Sequence, residues 1–184
     1  MPMYHVTRIQ HGDHPHLPAL QQLYEMAFVE EQRRTLPQLQ QLLSEPNMHV
    51  HALLPAGRFA GFSIHWQFDD FLFLEHLSII PPLRGMHLGE RAIQWLLAQT
   101  NVPIILEVEA PTDKLSTRRV GFYERLGFTL HDSFPYQQPP YQRHGQPVPL
   151  VLMTSPPMLQ PAELEDIVTK IREQVYERFY EPSA

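Results

Sequence analysis

The stretch from residue 71 to 91, FLFLEHLSIIPPLRGMHLGER, constrains the fold of this chain more than any other. A run of β-branched and aromatic residues stops at Pro81-Pro82 and is followed at once by Arg84-Gly85. Apolar residues then recur at helical spacing, at Leu88, Ala92, Trp95 and Leu96. The pattern therefore predicts a strand, a short loop containing glycine, and a helix that begins at the loop.

A junction of this kind suits the binding of an anion. Several backbone N–H groups point at one small volume, and the helix dipole adds positive potential there. Arg84 at the start of the loop would add a charge-assisted donor. The loop alone is only moderately specific for a pyrophosphate, because ordinary strand-to-helix turns also use glycine.

Composition excludes several classes of protein. The chain has 184 residues, 43% of them hydrophobic, which is enough for one globular domain with a core. It has no cysteine, so disulfides, thiolate metal sites and a cysteine nucleophile are excluded. Fourteen basic against 20 acidic residues argue against nucleic-acid binding. Because no long apolar run or signal-peptide core is seen, we expect a soluble cytoplasmic protein that does not bind membranes.

Hydrophobic periodicity predicts an alternation of strands and helices. A hairpin turn is expected at Ala56-Gly57, and Gly127 is expected to close a helix. Thr35 is expected to cap the second helix. Strands are predicted at 3–10, 48–55, 58–68, 71–80, 103–109, 128–134 and 148–154, and helices at 17–28, 35–44, 88–98, 116–126 and 161–180.

Two motifs resemble those of the GCN5-related N-acetyltransferase (GNAT) family. The loop Arg84-Gly-Met-His-Leu-Gly89 is similar to the family's acetyl-CoA motif, Arg/Gln-x-x-Gly-x-Gly/Ala, with His87 in the first glycine position. Downstream, residues 116–128 (STRRVGFYERLGF) are similar to Asn-x-x-Ala-x-x-Phe/Leu-Tyr-Glu-Lys-x-Gly-Phe. There Ser116 and Arg119 replace the asparagine and alanine. The resemblance covers roughly residues 48–134.

The resemblance implies a mixed α/β fold with a mostly antiparallel sheet of about seven strands, flanked by helices. We expect the acetyltransferase domain to occupy residues 1–156. Residues 157–184 would form an amphipathic helical extension that packs on the domain or on a second subunit of a homodimer.

The family's reaction is direct transfer of an acetyl group from acetyl-CoA to a primary amine, here of a small molecule or a peptide. By resemblance, cofactor-binding residues are expected on the strand, the loop and two helices: Leu77, Ser78, Ile79, Arg84, Gly85, Met86, His87, Leu88, Gly89, Glu90, Ser116 and Tyr123. We expect the backbone at His87 to be close enough to helical to accept a histidine, because a left-handed conformation would be costly there. The alternative function is a CoA-binding sensor or scaffold of this fold without catalytic activity.

Two side chains are candidates for proton transfer. Tyr123 matches the family's tyrosine acid, and the alternative is a helix aromatic that only packs. Glu75 is the candidate base. Strict alternation places it on one face of the strand with Leu77 and Ile79, and these apolar surroundings could raise the pKa of its carboxyl group. The alternative is a structural glutamate paired with an arginine or a backbone amide. A bulge could shift the alternation, and Glu107 and Glu109 are further candidates.

The resemblance implies that the acceptor amine meets residues between the first two helices and in a proline-rich segment near the C-terminal strands. These candidates are Phe28, Glu30, Glu31, Arg33, Tyr136 and Tyr141. Aromatic faces and carboxylates would attract a cationic amine. The alternative is that the tyrosines merely anchor a connector. No zinc-binding spacing occurs among the histidines, so no metal site is expected, and His49, His51 and His65 are expected to be structural.

Overall fold

The computed structural model describes residues 4–180 and has a mixed α/β fold. A seven-stranded, mostly antiparallel sheet is flanked by helices, and a further helix follows at the C-terminal end, which confirms the predicted fold class. The strands are β1 (Tyr4–Ile9), β2 (Met48–Pro55), β3 (Gly61–Gln67), β4 (Leu72–Ile79), β5 (Ile104–Val108), β6 (Thr129–His131), β7 (Gln137–Gln138), β8 (Val148–Pro149) and β9 (Val151–Thr154). The α-helices are α1 (Leu17–Ala27), α2 (Leu36–Gln41), α3 (Leu88–Ala98), α4 (Lys114–Arg125) and α5 (Pro161–Ile171).

The chain divides into two compact units. One comprises the chain up to Phe68 together with Leu74–Asn101, and the other comprises Asp69–Phe73 together with the chain from Val102 onward. In the first unit the strand order is β1-β2-β3-β4, and β2 pairs antiparallel with both β1 and β3. Ala56 and Gly57 have φ of 51° and 76°, the positive values that a tight hairpin turn requires, which confirms the predicted hairpin.

Local capping explains where α2 begins. The Thr35 hydroxyl accepts a hydrogen bond from the Gln38 amide, and the Gln38 side chain accepts one from the Thr35 amide. This reciprocal pair is a capping box, and Pro37 occupies a first-turn position where its missing N–H costs nothing. The predicted cap at Thr35 is therefore confirmed.

The two faces of the first unit's sheet pack against different helices. On one face, α3 covers an apolar cluster formed by Leu53, Ala60, Ile79, Leu88 and Ala92. On the other face, the ring of Tyr24 in α1 lies 5.9 Å from that of Phe62 in β3. Both rings are fully buried, so α1 closes this second face.

In the second unit, β9 pairs antiparallel with β5 and β6, and β7 pairs with β8 in a separate two-stranded ladder. Helix α4 begins with a capping box between Asp113 and Ser116. Gly127, which has φ of 91°, follows the last turn of the helix. There the Gly127 and Phe128 amides donate to the Glu124 and Tyr123 carbonyls, which is the hydrogen-bond pattern of a glycine-terminated helix.

The C-terminal helix continues beyond α5 through a π-helical turn (Arg172–Tyr176) and a 3₁₀ turn (Glu177–Phe179). Its apolar stripe is buried within its own chain, at Leu164, Ile167, Ile171, Val175 and Tyr176. The boundary at residue 156 and the homodimer stay predictions. Within residues 4–180, no helix is long and apolar enough to cross a membrane.

Candidate functional site

The loop between β4 and α3 is built by a short 3₁₀ turn at Pro81–Leu83. The Arg84 amide donates to the Pro81 carbonyl at 3.2 Å, and the Arg84 Nε donates to the Ile79 carbonyl at 3.0 Å. Gly85 follows with φ of 83°, and a Cβ built on it would meet nothing within 4 Å. Arg84 therefore fixes the end of β4, and the space beside Gly85 is open.

His87 is the residue that begins α3, and its backbone is left-handed, with φ of 57° and ψ of 16°. The expectation of a near-helical backbone at this position is therefore wrong. The physical reason is that the chain must turn sharply between Gly85 and the first helical turn, which needs a positive φ. Histidine tolerates this region better than most residues, but at a cost. Its exposed imidazole Nδ1 lies 2.9 Å from a Glu90 carboxylate oxygen.

The start of α3 has the chemistry of an anion cradle. The first-turn amides of a helix lack partners within the helix, and here they follow a loop of exposed residues, Arg84 to His87. Leu88 is buried and anchors the helix, while Gly89 and Glu90 are half-buried. Upstream on β4, Ser78 and Ile79 are buried and Leu77 is half-buried. The predicted cofactor residues of this segment are thus contiguous on the strand, the loop and the first turn.

Glu75 lies in a cluster of polar contacts in the first unit. One carboxylate oxygen forms a hydrogen-bonded ion pair with the Arg34 guanidinium, and the other accepts a hydrogen bond of 2.7 Å from the Trp66 indole. The Glu75 and Arg34 side chains are 1% and 4% exposed. Arg34 also lies over the Trp66 ring, 5.6 Å from its centroid. The pairing with arginine is the alternative that the sequence left open.

The contacts of β4 also show where its side chains depart from strict alternation between the two faces of the sheet. Leu77 and Ile79 pack in the cluster beneath α3. Glu75 instead contacts Trp66, which shares a face of β3 with Phe62, and Phe62 packs against Tyr24 of α1. Glu75 and Leu77 therefore lie on opposite faces, so the expectation that they share one face is wrong. A β-bulge would produce such a change of face, and it is the alternative that the sequence left open.

His76 completes this cluster. Its ring lies 4.3 Å from that of Phe28 and 5.2 Å from that of Tyr24, and its Nε2 is 3.7 Å from the Glu75 carboxylate. Burial lowers the pKa of His76 to about 4, against the opposing effect of Glu75. Burial and the Glu75 charge both raise the pKa of Tyr24. Both groups are therefore neutral near pH 7.

The connector between α1 and α2 carries four of the predicted acceptor residues. Phe28 packs on His76, as described above, and the Arg33 Nε donates to the Phe28 carbonyl at 3.1 Å. Glu30 and Glu31 lie in an exposed 3₁₀ turn. The structure thus holds Phe28 and Arg33 in place and leaves the two carboxylates toward solvent.

Tyr123 lies on α4 in the second unit, between two aromatic rings. Its ring centroid is 5.0 Å from that of Phe122 and 5.6 Å from that of Phe128. Burial raises the pKa of Tyr123 to about 12, with a smaller opposing effect from Arg119. The phenol therefore keeps its proton at neutral pH. Ser116 is buried, and its hydroxyl is engaged with the Asp113 backbone in the capping box.

Glu107 on β5 binds two tyrosine hydroxyls in the second unit. Tyr136 donates to one carboxylate oxygen, and Tyr176 donates from the C-terminal helix at 3.1 and 3.2 Å. Tyr141 is buried, 5.0 Å from the Tyr176 ring. Burial and the neighbouring carboxylate raise the pKa of Tyr136 well above its usual range. Both tyrosines of the proline-rich segment thus contact other residues of the second unit, and their role toward an acceptor stays a prediction.

His49, His51 and His65 form a row of rings on β2 and β3, with neighbouring centroids 4.9 to 6.1 Å apart. Burial lowers the pKa of His51 to about 4 and that of His65 well below its usual value. Within the part of the chain that the structure describes, no three side chains are placed to hold a metal ion.

Sequence reasoning missed Arg34, Trp66 and Tyr176. Arg34 and Glu75 are 41 residues apart, so no local spacing signals their pairing. Tyr176 lies in the predicted C-terminal helix, 161–180, where the spacing of apolar residues does not mark it as a donor. A buried tyrosine usually needs a hydrogen-bond partner, and that requirement was the available signal.

Comparison with known proteins identifies the family. The sequence profile of the "Acetyltransferase (GNAT) family" matches residues 17–128. The chain belongs to the GNAT acetyltransferase family.

Two similar proteins share 31% identity with this member of the family. A Bacteroides thetaiotaomicron structure described as a "Putative acetyltransferase from GNAT family" has a TM-score of 0.87 and covers 94% of this chain and 98% of its own. A Bacillus subtilis (strain 168) protein named "Putative acetyltransferase YjbC" aligns over 117 residues, 62% of this chain and 58% of the relative. This chain therefore spans less than two thirds of the curated relative's length.

A GNAT family acetyltransferase from Elizabethkingia anophelis, solved with acetyl-CoA bound, is 10% identical to this chain. Its TM-score is 0.56, and the match covers 83% of this chain and 97% of that one. At this identity the likeness concerns the fold alone.

Proposed function

We propose that this chain is an N-acetyltransferase that moves an acetyl group from acetyl-CoA directly to a primary amine of a small molecule or a peptide. The observation that carries the proposal is the cradle at the start of α3. An exposed arginine, Arg84, a loop with positive φ at Gly85 and His87, and a helix N-terminus follow β4 in that order, and Arg84 and Gly89 match the arginine and the final glycine of the family's cofactor motif. Membership of the family supports a transferase.

The residues present fit a CoA group in their chemistry. Gly85 leaves open space beside the loop, and backbone amides of Gly85 to Glu90 would serve as donors to phosphate oxygens. Arg84 would add positive charge, and Leu77, Ser78 and Ile79 would offer backbone groups to the peptide-like arm. Ser116 and Tyr123 complete the proposed cofactor residues. When bound, acetyl-CoA supplies the acetyl group as a thioester.

Three groups of the chain are assigned chemical roles. The Ile79 amide would donate a hydrogen bond to the carbonyl oxygen on which negative charge develops. The Tyr123 hydroxyl, which keeps its proton because its pKa is about 12, would donate that proton to the leaving sulfur. The Glu75 carboxylate would accept a proton from the incoming amine, directly or through water.

The acceptor residues are proposed from charge and shape. Glu30 and Glu31 are exposed carboxylates beside Phe28 and would attract a cationic amine. Arg33 holds the Phe28 backbone. Tyr136 and Tyr141 would shape the acceptor side from the proline-rich segment.

Calorimetry with acetyl-CoA, followed by detection of released CoA with a thiol reagent over a panel of amines, tests the proposal. We expect binding of acetyl-CoA and turnover with at least one amine class. Absence of acetyl-CoA binding would contradict it.

Tyr123→Phe tests the acid directly. We expect kcat to fall by about 100-fold, since general acid catalysis typically contributes that much or more, while acetyl-CoA binding is retained. Tyr180→Phe is the matched control, because that hydroxyl donates to the Pro140 carbonyl in another part of the unit. An unchanged kcat in Tyr123→Phe would show that Tyr123 only packs.

A second candidate function is a CoA-binding sensor or scaffold. It is favoured by the ion pair that engages Glu75, since a carboxylate bound to arginine is a weaker proton acceptor. Tight acetyl-CoA binding without turnover of any amine class would support this candidate over the enzyme.

A further inference from the structure

Arg34 is a buried cation that no part of the family motifs contains. Its guanidinium pairs with the Glu75 carboxylate while the Trp66 indole binds the second oxygen. We propose that Arg34 is a positioning residue: it holds the Glu75 carboxylate ionised and fixed in orientation, and it ties the connector between α1 and α2 to β4. The catalytic part of this inference rests on the proposed function.

The geometry engages both carboxylate oxygens. Arg34 and Trp66 approach Glu75 from different elements, the connector and β3, so rotation of the carboxylate would break one of the two interactions. The guanidinium also lies over the indole ring, and this stacking restricts its own freedom. A lysine could supply charge at this position but neither the planar donor fork nor the stacking.

The same residue organises the connector's backbone. The Arg34 amide donates to the Tyr24 hydroxyl of α1 at 2.9 Å, and the Arg34 carbonyl accepts from the Arg33 guanidinium at 3.4 Å. The Arg33 Nε in turn binds the Phe28 carbonyl. Moving Arg34 would therefore disturb the connector that carries Phe28, Glu30 and Glu31, the proposed acceptor residues.

The charges around Glu75 explain why we assign the ionisation of its carboxylate to Arg34. The titratable groups near Glu75 include Arg34 and His76, and Tyr24 is close enough for the Glu75 charge to raise its pKa. His76 is neutral at pH 7 because burial lowers its pKa to about 4, and Tyr24 is neutral because its pKa is raised. Arg34 is therefore a cation in direct contact with the carboxylate of a side chain that is 1% exposed. A buried carboxylate that loses such a partner takes up a proton more readily.

A pH titration of Trp66 fluorescence tests the electrostatic part without requiring activity. The chain has two tryptophans, so Trp95→Phe leaves Trp66, bonded to Glu75, as the reporter. We expect the fluorescence of Trp66 to change over a transition at acidic pH, and we expect this transition to be absent in Glu75→Gln. Arg34→Met should move its midpoint to higher pH by about one unit or more, and Arg34→Lys by less. A midpoint unchanged in both variants would overturn the proposal. If Arg34→Met does not fold, Arg34→Lys alone decides.

Steady-state kinetics of the whole chain test the positioning part. In Arg34→Lys we expect the acidic limb of kcat/KM to move to higher pH and the KM for the amine to rise, while the KM for acetyl-CoA stays unchanged. Arg58→Met, on the exposed hairpin turn, is the matched control. It should leave the acidic limb of kcat/KM and both KM values unchanged. A lower melting temperature with unaltered kinetics would show a purely structural role. A wild-type chain without turnover would refute the proposed function, whereas the fluorescence result would still decide the role of Arg34.

Discussion

A single backbone conformation defines the start of α3. His87 is left-handed at a position where the family motif has glycine, and its side chain is 79% exposed, so packing does not hold it there. The contact with Glu90 is an exposed pair and adds little. The conformation must therefore be imposed by the chain on either side, from Gly85 to the first turn of the helix.

Replacing His87 separates the steric cost of its positive φ from any contact that its imidazole makes with acetyl-CoA. His87→Gly and His87→Ala both remove the ring, but only glycine adopts a positive φ without steric cost. We expect His87→Gly to be more stable than His87→Ala by about 1 kcal/mol in urea unfolding. Both should bind acetyl-CoA like wild type if the amide is the donor. A loss of affinity common to both would instead assign the contact to the imidazole.

At the scale of elements, Gly61 on β3 lies close against the backbone at the end of β4. A Cβ built there would lie 2.2 Å from the Ser78 carbonyl oxygen and 3.1 Å from the Ile79 Cα. Both neighbours are backbone atoms and cannot move aside as a side-chain terminus could. Glycine at this position therefore allows the close approach of the strand that leads into the cradle.

Gly61→Ala should destabilise the chain by about 2 kcal/mol or more, because overpacking against backbone forces the strands apart. Gly121→Ala is the matched control. Gly121 lies inside α4, and its added Cβ would meet the Arg125 guanidinium at an ordinary 3.5 Å. That substitution should stabilise by about 0.5 to 1 kcal/mol through helix propensity. Equal effects of the two substitutions in chemical denaturation would contradict this account of Gly61.

The elements that could be predicted from sequence are those whose ends are marked by interactions between residues close together in the chain. Thr35 and Gly127 mark helix ends because their capping interactions lie within a few residues. The β7–β8 ladder of two residues per strand lacks enough alternation to be recognised. The π-helical turn at Arg172–Tyr176 preserves the apolar stripe, so periodicity does not reveal it.

The candidate site was less predictable, because its key contacts join residues far apart in the sequence and leave no local signal. The position of Glu75 on β4 follows from hydrophobic patterning, but the face it occupies differs from that of Leu77 and does not follow from strict alternation. Its partner Arg34 lies on a connector whose path is set by tertiary packing. The backbone of His87 depends on the tight turn after Gly85, which a motif match cannot supply.

For the molecule as a whole, buried histidines set the response to acid. His51, His65 and His76 are 7%, 4% and 5% exposed. Burial lowers the pKa of His51 and of His76 from 6.5 to about 4, and that of His65 well below 6.5. When the chain unfolds, each imidazole returns to its ordinary pKa. Between about pH 6.5 and 4 the unfolded chain therefore binds more protons than the folded chain.

The free energy of unfolding should accordingly be at its full value above pH 6.5 and fall as the pH drops toward 4. His51 and His76 each contribute up to about 3 kcal/mol to this loss, and His65 contributes in the same direction. Urea unfolding at pH 7, 6 and 5 measures it, and His51→Gln should reduce the slope because one such group is removed. His144→Gln, at an exposed position, is the matched control and should leave the slope unchanged. Parallel slopes for wild type and His51→Gln would show that carboxylates, rather than this row of imidazoles, govern acid unfolding.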